Sequence, residues 1–258
     1  MEEFLLFAAV GFAAQLVDGT LGMAFGVIAS TLLLGMGTPP AVASASVHAA
    51  KVFTGTASAV SHLAHGNIRP KLFWPLAIGG VIGGVPGGLL LTSLDGDLIK
   101  PWVLGGLAVM GVVILVRATR EVRLRKVPMG GAAPLGVVGG FLDALGGGGW
   151  GPTVTTTLVG AGEPPRQAVG SGNAAEAVVA VAVSTTFITA LLTGHWQDVT
   201  DLKQYAASVA GLIAGGVLAA PLAAFLTRIL PVRRFAWLIG LLILILAGLQ
   251  LYALLAVR

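Results

Sequence analysis

The sequence contains no cysteine, which excludes disulfides, thiolate metal sites and a cysteine nucleophile. Charge is almost as scarce: Lys, Arg, Asp and Glu make up 10% of the 258 residues, where soluble domains carry about a quarter. The four histidines, His48, His62, His65 and His195, show no HExxH-type spacing, so neither a metal nor another cofactor is expected. No GxxxxGK[ST] pattern occurs, which excludes a P-loop as a source of energy. The opening Met-Glu-Glu-Phe lacks the basic stretch of a cleaved secretory signal, so the first apolar run is expected to stay in the fold.

Apolar residues fill the chain instead, at 56% with a mean hydropathy of +0.93. Leu72–Thr92, Gln204–Thr227 and Phe235–Val257 hold no charge, and each reaches the roughly 20 residues that cross a bilayer. The fold class expected is therefore an all-α integral membrane protein, one transmembrane domain over 1–258 in the cell's inner (plasma) membrane. The net charge of +4 does not point to nucleic acid, because the basic residues concentrate in Arg117–Lys126, five of them with one acid. That run reads as a cytoplasmic loop obeying the positive-inside rule.

The chain is a tandem duplication. Asp18 answers Asp143, Gly22 answers Gly147, Gly26 answers Gly151, Thr31 answers Thr156, Gly35 answers Gly160, and Pro39-Pro40 answers Pro164-Pro165, all at the offset that separates 18 from 143. The repeats span 4–116 and 131–257, joined by the basic linker 117–130. Each is expected to hold four hydrophobic segments, beginning with an over-long one. Phe4–Gly37, with Asp18 as its only charge, would be roughly 50 Å long as one straight helix. Glycines 19, 22 and 26 predict a break into two half-helices, and Gly131–Gly162 around Asp143 follows the same plan.

Loop charge favours inverted repeats over parallel ones. With the linker inside and each over-long segment entering and returning, Lys and Arg number eleven inside and three outside, with Lys51 set apart within the membrane. If those segments cross, the numbers are nine and five. The first arrangement obeys the positive-inside rule better and puts both termini outside.

Broken helices in inverted repeats aim free N–H groups at a midplane anion. The glycines of the two breaks, with Gly22, Gly147 and Gly148 named as substrate-binding, are one candidate cradle, and close helix packing is the plainer account of them. Lys51 and Glu176 occupy equivalent positions, and a membrane-centre ionisable group costs roughly 2.5–3.5 kcal/mol even on lenient scales. Lys51 is a candidate anion attractor and Glu176 a counter-charge or proton carrier; the alternative is a static ion pair. His48 and Asn173 are equivalent, as are Ser46 and Ser171, and His48 with Lys51, like Asn173 with Glu176, share a helix face at i, i+3. This repeated polar face makes His48, Ser46, Asn173 and Ser171 candidate substrate-binding residues lining a cavity, with helix–helix hydrogen bonding as the alternative. Asp18 and Asp143 either bind a coupling ion or cap the second half-helix. His62, His65 and His195 are expected at wetted ends, and Trp74, Trp102, Trp196 and Trp237 as interfacial anchors.

These segments, VDGTLGMAFG at 17–26 with LLLGMGTPPAVASASVHAAK at 32–51, and FLDALGGGGWGP at 141–152 with LVGAGEPPRQAVGSGNAAE at 158–176, resemble the sulfite exporter TauE/SafE family of bacterial and plant membrane permeases. The resemblance covers essentially the whole chain. It implies secondary transport of a small anionic substrate, sulfite or an organosulfonate such as sulfoacetate, by alternating access. A passive anion channel of the same fold is the alternative. An enzyme is not expected, since a rhomboid-like motif around Ser171 would need glycine where Val169 stands. The partners are the substrate and the lipid bilayer, with no nucleic acid, and the glycine-rich faces are compatible with a homodimer.

Overall fold

The computed structural model describes residues 1–119, 131–196, 202–226 and 232–256. Among the described residues there is no strand. The first repeat gives α1 (Glu2–Leu21), α2 (Phe25–Gly35), α3 (Pro40–Ala64), α4 (Pro70–Thr92) and α5 (Gly96–Thr119). The second gives α6 (Ala132–Gly146), a π turn Gly151–Thr155 running into the short α7 (Thr156–Gly160), then α8 (Pro165–Leu192), α9 (Ala206–Leu226) and α10 (Val232–Ala256). Most of the basic linker, Asp198, Asp201 and Arg228 lie outside the described residues. Among the described residues, five helical stretches are long and apolar enough to cross a membrane: α1, α4, α5, α8 and Lys203–Leu226.

The boundaries follow local chemistry. Prolines open α3, α4 and α8, where a missing N–H costs nothing. The fourth segment starts earlier than its apolar run suggested, at Gly96 rather than Pro101, because Asp95 Oδ1 accepts the N–H groups of Asp97 and Leu98 and caps the helix. Both over-long segments break at equivalent glycines. Gly22 (φ 69°) and Gly147 (φ 71°) turn left-handed after α1 and α6, and each donates its N–H to the carbonyl oxygen of the aspartate four residues before it at 2.6 Å. A side chain rarely adopts that conformation.

The two breaks meet backbone to backbone. A Cβ on Gly26 would overlap the Gly147 carbonyl, and one on Gly151 would lie 2.5 Å from the Gly22 carbonyl. The pairs exchange under the repeat. The glycines of α4 work the same way on two faces: Gly79, Gly83 and Gly87 lie against Ala133, Val137 and Phe141 of α6, while Gly80, Gly84 and Gly88 face Val179, Val183 and Thr186 of α8. In the other half Gly211 and Gly215 of α9 lie against Phe4, Ala8 and Phe12 of α1, and Gly216 meets Thr54 of α3. Small residues allow this approach where lipid supplies no hydrophobic drive between helices.

The contacts also fix directions. Ascending numbers in α4 meet ascending numbers in α6 and α8, and α1 and α9 likewise run parallel. Equivalent helices oppose each other: Ser58 of α3 meets Asn173 of α8 and His48 meets Phe187, while Gly111 of α5 meets Ile243 and Leu244 of α10 and Gly240 meets Leu115.

Two expectations about segment ends are corrected. His62 is not at a wetted end; it is buried, with Nε2 3.1 Å from the Gly19 carbonyl and Nδ1 3.0 Å from Asn67 Nδ2. Trp196 is not an interfacial anchor; it is buried with its ring centroid 5.6 Å from that of Phe187. Trp74, Trp102 and Trp237 are exposed.

The packing predicts that Gly147→Ala, whose Cβ would press on Ser30 at a positive φ, lowers stability by about 2 kcal/mol or more. Gly105→Ala in α5, with nothing within 4 Å of its Cβ, should stay within about 1 kcal/mol of the native chain. Thermal unfolding in detergent compares them, and equal losses would show that the break tolerates a side chain.

Candidate functional site

The repeat aspartates sit in the last turn of α1 and α6, each beside a helix break. Asp18 Oδ1 accepts the Phe25 N–H at 3.3 Å, and Asp143 Oδ1 accepts the Trp150 N–H at 3.1 Å. Phe25 and Trp150 are themselves equivalent, so both carboxylates cap the chain beyond the break. Capping accounts for one oxygen of each.

The rest of Asp143 is spent on α3. Lys51 Nζ lies 2.9 and 3.1 Å from its two oxygens, and His48 Nε2 lies 3.2 Å from Oδ2. His48 Nδ1 faces the Ser44 carbonyl at 2.9 Å, while Ser44 Oγ donates to the Ala144 carbonyl at 2.6 Å, tying α3 to the end of α6. Lys51 also reaches across to α8, with Nζ 2.7 Å from Glu176 Oε1. All of these side chains are buried. Lys51 thus bridges carboxylates of two other helices, and its ammonium is fully engaged. Such a bridge offsets the cost of burying charge only while every partner stays in place.

Asp18 has a different set of neighbours. Asn173 Nδ2 lies 3.3 Å from its carbonyl and from Oδ2, and 3.4 Å from Ser58 Oγ. Lys51, His48, Asp143, Glu176, Asn173 and Asp18 therefore form one string through the middle of the molecule, crossing between the halves at the equivalent pair Lys51 and Glu176.

Ser46 and Ser171 are not in it. Ser46 lines a cavity of about 400 Å³ between α3, α8 and α9, with Ser184, Phe187, Trp196 and Tyr205. Ser184 Oγ and Trp196 Nε1 are buried without a hydrogen-bond partner, and no charged residue lines the cavity. Phe187 separates it from His48, ring centroids 6.1 Å apart. The equivalent place in the other half is filled: Ser171 Oγ accepts the Arg69 N–H at 2.8 Å, Asn67 lies against Gly170, and the Arg69 guanidinium pairs with Glu163.

The break glycines are closely packed. Gly22 is filled against Thr155, Gly147 against Ser30, and Gly148 against Gly26 and Val27. Gly148 also borders an apolar cavity of about 120 Å³ beside α5, which offers an anion no charged partner. Sequence reasoning missed Trp150, whose Nε1 donates to the Gly172 carbonyl at 3.0 Å, although its equivalence to Phe25 marked it. It missed Arg69 with Glu163 because Glu163 answers Thr38, which carries no charge. Among the described residues no group of three or more His, Asp and Glu side chains is arranged to hold a metal ion.

Comparison with known proteins gives two findings. The family model described as "Sulfite exporter TauE/SafE" matches residues 7–251. The "Probable membrane transporter protein YtnM" of Bacillus subtilis (strain 168) is 41% identical over 235 residues, covering 88% of this chain and 76% of that protein. No solved structure matches the chain.

Asp143→Ala should destabilise by about 3 kcal/mol or more, because it leaves the buried Lys51 with Glu176 as its one carboxylate partner and uncaps the Trp150 N–H. In the Lys51→Met background the same change should cost at least about 1 kcal/mol less, the coupling expected of contacting residues. Denaturation of the four proteins in detergent measures this, and strict additivity would contradict the bridge.

Proposed function

The chain belongs to the sulfite exporter TauE/SafE family and is a membrane transporter; from that premise we propose that it is a secondary permease for small sulfur-containing anions, sulfite or organosulfonates, working by alternating access between inverted repeats. Supporting inversion, the equivalent pairs α3/α8 and α5/α10 pack antiparallel, as a two-fold axis in the membrane plane requires.

The observation that carries the reading is the difference between the two ends of the α3/α8 pair. At one end lies the cavity of about 400 Å³, within the roughly 300–1,000 Å³ range of small-molecule sites. At the other, Asn67, Arg69, Glu163 and Ser171 close the equivalent space. One end open and its twin shut is one of the two states that alternating access needs. The buried donors Ser184 Oγ and Trp196 Nε1, with Ser46 beside them, suit the oxygens of a sulfite or sulfonate group, and the apolar remainder of the wall suits an organic tail. In this reading Lys51, His48, Asp143 and Glu176 sit beneath the cavity and couple its occupancy to the pairing of α3 with α8. The closed end weighs against a passive channel, which needs a continuous path.

Counterflow in proteoliposomes tests the proposal. Labelled sulfite or sulfoacetate should exchange faster when the same anion is loaded on the opposite side. Ser184→Ala and Trp196→Phe should each raise KM about tenfold, the value of one buried hydrogen bond near 1.4 kcal/mol. Absence of exchange with every sulfur anion would overturn the transport reading, and unchanged KM in both variants would move the site elsewhere.

A further inference from the structure

The two aspartates occupy equivalent places in opposite charge environments. Against Asp143, α3 sets His48 and the ammonium of Lys51. Against Asp18, α8 sets the equivalent residues, Asn173 and Glu176. Where one half gives its buried aspartate a cation, the other gives it an amide and a second carboxylate. The amide nitrogen of Asn173 and the N–H of Phe25 are the neutral donors that the Asp18 carboxylate receives. Three buried carboxylates therefore share one lysine, and that lysine leans towards Asp143 and Glu176.

The space beside Asp18 matches this imbalance. A cavity of about 10 Å³ lies there, walled by Asp18, Glu176, Asn173, Gln15, Thr54 and Ser58, room for a single water-sized occupant. Asn173 Oδ1 is buried with no hydrogen-bond partner, and so is Gln15 Nε2. Both amides line the cavity, and rotation of the Gln15 amide presents its oxygen instead. Two carboxylates, amide oxygens and two hydroxyls are an all-oxygen set, the kind that hard cations take. Lys51 borders the same cavity, and its ammonium opposes a dication more than a monocation.

We propose that this cavity binds one sodium ion, which takes beside Asp18 the place that the Lys51 ammonium takes beside Asp143. Under the transport reading above, on which its meaning rests, the bound sodium is the coupling ion. Glu176 touches Lys51 on one side and the cavity on the other, so occupancy of the cavity is felt at the contact between the repeats.

The test is binding, measured without any sulfur anion. The melting temperature of the purified full chain in detergent is followed as sodium chloride replaces choline chloride at constant ionic strength and pH, with potassium and calcium series alongside. A saturable rise specific to sodium is expected, since a ligand of the folded state alone stabilises it. Asp18→Asn keeps an oxygen to cap Phe25 and should shift half-saturation at least about tenfold upward; Glu176→Gln should do the same and decides the matter if the first variant does not fold. No rise as sodium replaces choline, an equal rise in potassium, saturation by calcium below sodium, or an unchanged sodium response in both variants would each overturn the proposal. Sodium binding without anion exchange would sink the transport reading and leave the site standing. Exchange without a sodium shift would sink the site alone.

Discussion

One buried lysine ties the two halves together. Lys51 and Glu176 are the same position in two copies of one ancestral segment, and their contact at 2.7 Å falls where α3 and α8 oppose each other. A midplane charge costs roughly 2.5–3.5 kcal/mol even on lenient scales, so the lysine must be partnered wherever the halves come to rest. Asp143, fixed by its cap on Trp150, supplies the second partner. A rocking motion that separates α3 from α8 must break or exchange these pairs, which makes the bridge a natural bistable element.

The breaks serve the same end by different means. Because Gly26 meets Gly147 and Gly151 meets Gly22 through bare backbone, the half-helices cross closely enough to bring each aspartate under the opposite repeat. Asp18 meets Asn173 of the second half; Asp143 meets Lys51 of the first. Glycine here is a spacing device: it sets how deeply one repeat reaches into the other, and the charged string follows from that depth.

Much of this was legible in the sequence, because duplication doubles every signal. Asp18 and Asp143, Lys51 and Glu176, and the break glycines were found as pairs, and capping was one of the two roles left open for the aspartates; Phe25 and Trp150 as the residues capped emerge only in the structure. The choice of partners was not legible. Nothing local tells Lys51 to take Asp143, 92 positions away, in addition to its own twin. Departures from the repeat were the least visible. Arg69 with Glu163 and the cavity beside Ser184 and Trp196 distinguish one half from the other, and a twin-based reading passes over them. His62 and Trp196 misled for a related reason: polar and aromatic residues near segment ends usually meet the interface, but the Gly19 carbonyl and Phe187 draw these two inside.

In the proposed transport cycle, equivalent positions at the two ends of the α3/α8 pair open to opposite sides of the membrane in turn. The native absence of cysteine makes it directly measurable. Ser184→Cys and Ser171→Cys each provide a single thiol, to be labelled by a membrane-impermeant reagent in right-side-out and inverted vesicles. Position 184 should react from one face only and position 171 from the other only, and a transported anion should change the two rates in opposite directions. Reaction of both thiols from the same face would contradict the inverted arrangement, and rates indifferent to every sulfur anion would contradict alternating access.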